Sequence, residues 1–472
     1  MAVYKIFPEK DATLYSMFPI MNTGIDEIVE STLTTFAPSD PNPQVSRFVT
    51  KFSDTEINNV FSNIIPTSSA WISNLRCFNA KVEGLMLDTT LDIFAVSQSW
   101  GMGTGRYLDD PLTTNGTSWV FRTYSGSNEN RWDIIYTGNS TGSYNLNYAP
   151  AGGGTWYIKN PTDNTYLSSS QVFTYAKSKD LNVDVTPIVD LWVSSSLNND
   201  GFIIKQKEEW VYNKNFQPEI KFFSVDTHTI YPPQLEFKWD DFTYNTGSTL
   251  VLSTIGPGTG GIYNGVNDGT YTNISLTGSL LGTGAIATVV LDTELVTSVT
   301  VTTPGSGFVV GELITFAGSL INDGVGGSGT QNVTTLVDSN ILSEIKPLDI
   351  LPATVTVAQN PGTFYTSSIN EFRINSRPEY PIRVWQTASL YTNNYALPTA
   401  SYWALKDLDT NEYVIDFDTT FTKLSCDVSG SYFTLHMNGL QPERYYQILI
   451  QSEIDGSTVV YDDEYYFKVI NG

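Results

Sequence analysis

The sequence predicts an all-β protein from three observations: short runs of alternating apolar and polar residues, an abundance of large rings, and almost no helical periodicity. Alternation such as Ser46-Arg47-Phe48-Val49-Thr50-Lys51-Phe52 or Asp92-Ile93-Phe94-Ala95-Val96 is the pattern of strands with one face buried. The 27 Tyr, 24 Phe and 10 Trp of the 472 residues supply large cores, which argues against disorder. Helical spacing is confined to Thr55 to Ile64 and Thr186 to Ser195, each two or three turns long.

Composition divides the chain into three blocks, at 1–247, 248–345 and 346–472. The first holds eight of the ten tryptophans and is expected to build a jelly-roll-like sandwich. Between 251 and 340 there is no Lys, Arg or Trp, but there are 17 of the 36 glycines, with strand-like runs such as Leu295-Val296-Thr297-Ser298-Val299-Thr300-Val301-Thr302. That composition suits a small module of hairpins and glycine turns, inserted between Phe242–Gly247 and Leu351–Val355. Charges and aromatics return in the third block, which ends Tyr461-Asp462-Asp463-Glu464-Tyr465-Tyr466-Phe467-Lys468-Val469 and fits an immunoglobulin-like sandwich.

Charge and residue counts remove whole classes of function. With 49 acidic against 25 basic residues the formal charge is -24, so nucleic acid and anionic membrane are expected to be repelled. Cys77 and Cys426 stand far apart without CxxC spacing, which excludes a disulfide framework or a cysteine metal cluster. Only His228 and His436 exist, leaving little material for a histidine triad, metal centre or proton relay. The N-terminus lacks the basic and apolar blocks of a signal peptide, and no apolar run reaches about 18 residues, so a soluble cytoplasmic product is expected.

Against this background the residues carry three resemblances. Asp11-Ala12-Thr13-Leu14, Asn22-Thr23-Gly24, the strands at 45–52 and 71–78, Ile93-Phe94-Ala95-Val96 followed by Trp100, Asn115-Gly116-Thr117-Ser118-Trp119, Val183 to Val189, Asn199 to Ile204, and Lys221 to Ser224 followed by Pro232 to Leu235 resemble, in that order, a DNRLRE-type β-sandwich of extracellular and virion proteins. Gly269 to Ile274, Gly282 to Val289 and Val299 to Phe308 running into Val309-Val310-Gly311-Glu312 resemble a small module of tailed-phage structural proteins. Leu397 to Trp403, Lys406 to Glu412 and Asn438 to Tyr446 resemble the C-terminal region of uncharacterised virion proteins of contractile-tailed cyanophages.

Motifs that carry chemistry elsewhere lack their context here. Gly256-Pro257-Gly258-Thr259-Gly260-Gly261 fits a dinucleotide fingerprint in letters, but no helix follows it. Gly138-Asn139-Ser140-Thr141-Gly142 fits a nucleophile elbow, but a strand-like run follows and no histidine is near in sequence. Asp407, Asp409 and Asn411 have calcium-loop spacing, yet Glu412 stands where glycine is required, so an Asx-type hairpin turn is expected. The neighbours Asp109 and Asp110, or Asp462 and Asp463, are expected by chance among 49 carboxylates, and adjacency in sequence does not set the separation that an acid/base pair needs.

The resemblances imply a non-enzymatic structural component of a tailed-phage virion, mounted on neck, tail or baseplate and assembling with other virion proteins and copies of itself. The alternatives are a capsid decoration protein and an adhesion protein that binds a host surface glycan. No cofactor or metal is expected. Trp100, beside Gly101-Met102-Gly103-Thr104-Gly105, and Trp156, after Gly152-Gly153-Gly154, are the candidate ligand or interface contacts, with core packing as the competing assignment.

Overall fold

The computed structural model describes residues 2–34, 44–67, 69–85, 88–133, 152–207, 218–244, 268–278, 283–293, 295–303, 314–316, 320–321, 331–333, 345–380, 394–427 and 429–472. The fold is nearly all β. Its helical turns are Asp54–Asn59, continued by a wider turn over Val60–Ile64, and Thr186–Val193. The second starts where Asp184 Oδ1 accepts the Thr186 N–H at 2.8 Å and buries Ile188, Val189, Leu191 and Trp192.

In the N-terminal sandwich, a long curled sheet orders its strands Ser169–Phe173, Thr89–Ala95, Phe202–Gln206, Gln44–Phe52, Ile28–Thr34, Glu219–Phe223 and Asn79–Glu83, with Pro8–Tyr15 also paired to Gln44–Phe52. A four-stranded sheet of Ala2–Ile6, Gln234–Trp239, Trp71–Cys77 and Leu181–Asp184 faces it. Phe48, Phe52, Leu75, Phe202, Phe222, Phe237 and Trp239 fill the space between them.

The long sheet differs from the half-buried expectation, because Phe202–Gln206 is buried on both faces. Its outer face is roofed by Trp100, Trp119, Trp132 and Trp156, which pack on Leu14, Val49 and Ile203 as a second core. Alternation fails because long connections supply a third layer.

The C-terminal sandwich is immunoglobulin-like. One sheet holds Ala353–Ala358, Ile369–Pro378, Gly430–His436 and Ser425–Asp427; the other holds Thr363–Tyr365, Tyr466–Ile470, Tyr445–Ile454, Ser401–Asp407 and Tyr413–Ile415. Trp403 stacks on Phe433 at 4.7 Å in its core. Tyr446 donates its hydroxyl to the Gln441 carbonyl at 3.0 Å, tying a strand start to the preceding turn in a tyrosine corner.

The glycine-rich block forms its own sheet, ordered Leu295–Thr303, Ala285–Asp292, Gly269–Gly278, Ile314–Phe316 and Gln331–Val333, around Ile274, Ala287, Val289 and Phe316. The chain joins the C-terminal sandwich ahead of the compositional edge at 247. Thr243 accepts the Cys426 N–H at 2.8 Å, and Tyr244 donates to the Leu397 carbonyl at 2.8 Å. Tyr244 also packs against the small cluster of Ile345, Ala396 and Cys426, so the two flanks of the module meet at one place.

Candidate functional site

Asn22 organises the most distinctive surface of the N-terminal sandwich. Its side chain is buried, with Nδ2 donating to the Met102 carbonyl at 2.6 Å and the Thr117 carbonyl at 2.7 Å. Its Oδ1 accepts the Gly24 N–H at 3.1 Å and the Gly105 N–H at 2.8 Å. Both donors and both acceptor positions are used, so three chain segments are fixed to one side chain. Close approach demands glycine at Gly103, where φ is +86° and a Cβ would collide with Asn22 and the Asn115 carbonyl.

From this base two short segments project a ridge of apolar side chains. Met17, Ile20, Tyr107, Leu108 and Leu112 are all exposed, Tyr107 by 46% and Leu108 by 54%. Leu108 has φ +57°, a left-handed conformation that costs a non-glycine residue about 1–2 kcal/mol. The Tyr107 ring lies 5.0 Å from Tyr15 and 6.1 Å from Phe18. A left-handed backbone thus holds aliphatic and aromatic groups in water at this edge of the sandwich.

Beside the ridge lies a groove of about 230 Å³, lined by Tyr15, Met17, Phe18, Tyr107, Glu30, Glu219 and Lys221 among others. It exists because the sheet forks. Ile28–Thr34 and Gln44–Phe52 pair only through Leu33 with Val45 and Thr34 with Gln44. Beyond that, Ser46 Oγ spans the gap, accepting the Thr32 N–H at 2.8 Å and donating to the Glu30 carbonyl at 3.2 Å.

Within the groove, Lys221 Nζ sits 2.8 Å from both the Glu30 and Glu219 carboxylates. Burial alone would lower the Lys221 pKa, but the two glutamates push it up. Burial and then Glu30 push the Tyr107 phenol up, with Asp26 and Glu219 adding and Lys221 opposing. Burial is the larger cause of that rise, and three carboxylates add to it against one lysine.

A second constellation joins the sandwiches. Glu236 and Lys5 are both buried and lie 3.1 Å apart, with Arg76 at 3.3 Å and Lys238 at 3.7 Å from the same carboxylate. Burial would raise the Glu236 pKa, yet Lys5 and then Arg76 and Lys238 hold it at about 2. Lys5 also donates to the Val414 carbonyl at 3.1 Å, and Asn438 donates to the Lys5 carbonyl at 2.6 Å. A cavity of about 310 Å³ opens beside this joint, between Lys238 and the segment 413–422. His436 packs edge-on to Tyr4 and Trp239.

The sequence candidates lie elsewhere and are spoken for. Trp100 is only 4% exposed, donates to the Asp200 carbonyl at 2.9 Å and has the Lys10 ammonium 4.5 Å from its ring centroid. Trp156 is 3% exposed and packs on Phe94 at 5.9 Å. Both rings belong to the roof over the long sheet, so neither offers a face to a ligand in this structure. Asp407 is the acceptor of an Asx-type turn, binding the Asp409 and Thr410 N–H groups at 2.8 and 3.0 Å and Arg444 through both oxygens.

Asp109 caps its own loop by accepting the Arg106 N–H at 2.7 Å, and the Asp462 carbonyl accepts from Gln447 at 3.3 Å. The motifs at 138–142 and 256–261 lie outside the described residues. Among the described residues no three His, Cys, Asp or Glu side chains group as metal ligands, and no helix is long and apolar enough to cross a membrane.

Sequence reasoning missed the groove. Tyr15, Tyr107, Glu30 and Glu219 come from four distant segments, and the one local signal is the apolar Tyr107-Leu108 pair inside an otherwise polar loop. No protein-family model matches the chain, and no curated protein matches its sequence.

Proposed function

We propose that the chain is a non-enzymatic structural component of a tailed-phage virion, held on the neck, tail or baseplate by protein–protein contacts. The observation that supports this reading is the ridge of Met17, Ile20, Tyr107, Leu108 and Leu112, fixed in advance by Asn22 and exposed to water. A preformed surface loses little entropy on docking, and apolar anchors surrounded by polar groups are the usual core of an interface. The buried joint at Glu236 couples the sandwich that bears the ridge to the C-terminal one. The test is quantitative mass spectrometry of gradient-purified particles. Fixed stoichiometry at several copies per particle is expected, and loss of the protein during purification would overturn the proposal.

Adhesion to a host glycan is the second reading, favoured by exposed tyrosines on the outer face of the C-terminal sandwich. Tyr445 and Tyr466 meet edge to face at 6.5 Å there, with Lys468 5.8 Å from the Tyr445 ring centroid. Exposed rings of this kind stack on sugars, and saturable glycan binding lost on Tyr466→Ala would favour it over assembly.

A further inference from the structure

We infer that the groove between Tyr15, Phe18 and Tyr107 receives a basic side chain, lysine or arginine, from a neighbouring protein. The inference rests on the assembly reading for the identity of that neighbour, but the chemistry stands on the groove itself.

Three aromatic rings converge at centroid distances of 5.0 and 6.1 Å around Tyr107, whose ring is half in water. An aromatic face attracts a cation through its quadrupole, most strongly where water is partly excluded. The carboxylates of Glu30 and Glu219 line the same groove. Lys221 bridges them at 2.8 Å each, so one resident positive charge answers two negative ones. The nearby Lys81 does not settle the difference, since it lies 3.8 Å from Glu219 and 3.2 Å from Glu83. The fork of the sheet leaves one more carboxylate than ammonium beside the exposed Tyr107 ring, in a cavity of about 230 Å³ that accommodates one long side chain.

Charge selects the occupant further. The whole chain carries -24, so a second copy approaching through a typical part of its surface is repelled, whereas a basic segment is drawn in. Met17, which lines the groove and is exposed, suits the methylene stem of such a side chain, which packs on apolar surface while its head group reaches the carboxylates. A neutral aliphatic side chain would meet the Tyr107 ring but bring no charge to the two carboxylates that share Lys221. An acidic one would be repelled.

The test uses the full chain and saturation-transfer NMR with three blocked tripeptides, Gly-Lys-Gly, Gly-Arg-Gly and Gly-norleucine-Gly, and with galactose as a neutral sugar. Saturable binding of the two basic peptides in the millimolar range is expected, weakening with added salt. Tyr107→Ala and the isosteric Glu219→Gln should each weaken it by about five- to tenfold, the scale of one cation–ring or ion-pair contact. Tyr107→Phe should keep it, separating loss of the ring from loss of the fold. Equal binding of the norleucine peptide, preference for galactose, or absence of saturable binding by either basic peptide would each overturn the inference. None of these outcomes depends on incorporation into particles, so failure here is distinguishable from failure of the assembly reading.

Discussion

Lys5 Nζ lies 3.1 Å from the Glu236 carboxylate of the N-terminal sandwich and 3.1 Å from the Val414 carbonyl of the C-terminal one. One buried ammonium thus satisfies an acceptor in each body. The strand that carries it does the same with apolar groups, since Val3 belongs to the C-terminal core and Ile6 to the N-terminal core. The sandwiches are coupled by hydrophobic burial and by a charge network that loses its balance if one member is removed.

Glu236→Gln should therefore destabilise the protein by about 3–5 kcal/mol, the usual cost of leaving a buried charge without its counterion. Urea unfolding measures it. The wild-type contribution is complete above the ordinary carboxyl pKa of 4.5 and is lost as pH falls toward the folded value of about 2. A loss under about 1 kcal/mol would mean the network is no tighter than a surface pair.

Asp11 should act with the opposite sign. Burial pushes its pKa up to about 8 although its carboxylate accepts the Val225 N–H at 2.7 Å, and Asp226 and Asp26 add to the rise. The folded state holds a proton that the unfolded chain releases above 3.8, so this term weakens the fold by up to about 1.4 kcal/mol per pH unit between those values. Asp11→Asn removes the titration, and its melting temperature relative to wild type should be higher at pH 8 than at pH 5. An identical difference at both pH values would contradict the assignment.

His436 governs part of the acid limb. Burial lowers its pKa from 6.5 to about 4, because a charged imidazole is disfavoured between Tyr4 and Trp239. Its contribution is present above 6.5 and is lost as pH falls to 4, by about 3 kcal/mol at most. His436→Phe should flatten the dependence of stability on pH in that window, read by urea midpoints at pH 4.5 and 7. An unchanged slope would show that the ring is not excluded from water.

Calcium should leave the melting temperature unchanged. Both Asp407 oxygens are occupied, by Arg444 and by two backbone N–H groups, so the turn offers no free carboxylate at its first position. Asp407→Ala should instead cost about 2–3 kcal/mol, as expected for charged hydrogen bonds left unmade. Stabilisation by millimolar calcium that EDTA reverses would refute the turn assignment.

Removing the glycine-rich module should spare both sandwiches. Tyr244 packs against the small cluster that contains Ile345, so replacing residues 250–343 by a short Gly/Ser linker spans a gap already closed in the fold. Circular dichroism and limited proteolysis should report two intact sandwiches. Their collapse would mean that the module shares a core with one of them.

Period-two patterning made the class and the C-terminal strands legible in advance, and helical spacing the two helical turns, because each depends on local spacing. The roof over the long sheet was not legible. Nothing local in Phe202-Ile203-Ile204 reveals that Trp119 and Trp156 cover its second face, since the covering residues come from remote loops. The sharing of Ala2–Ile6 between two cores was hidden for a similar reason: alternation assigns two faces but not the body against which each one packs. The groove depends on a fork between Ile28–Thr34 and Gln44–Phe52, and register is a property of pairing, not of either strand alone.

The most direct measurement for the assembly proposal is a cryo-EM map of the intact particle at a resolution that traces strands. The assembly reading predicts both sandwiches in symmetric copies on the neck, tail or baseplate, with Tyr107 and Leu108 covered by an adjoining protein. A map in which the chain is absent, or is present with that ridge facing solvent in every copy, would contradict it.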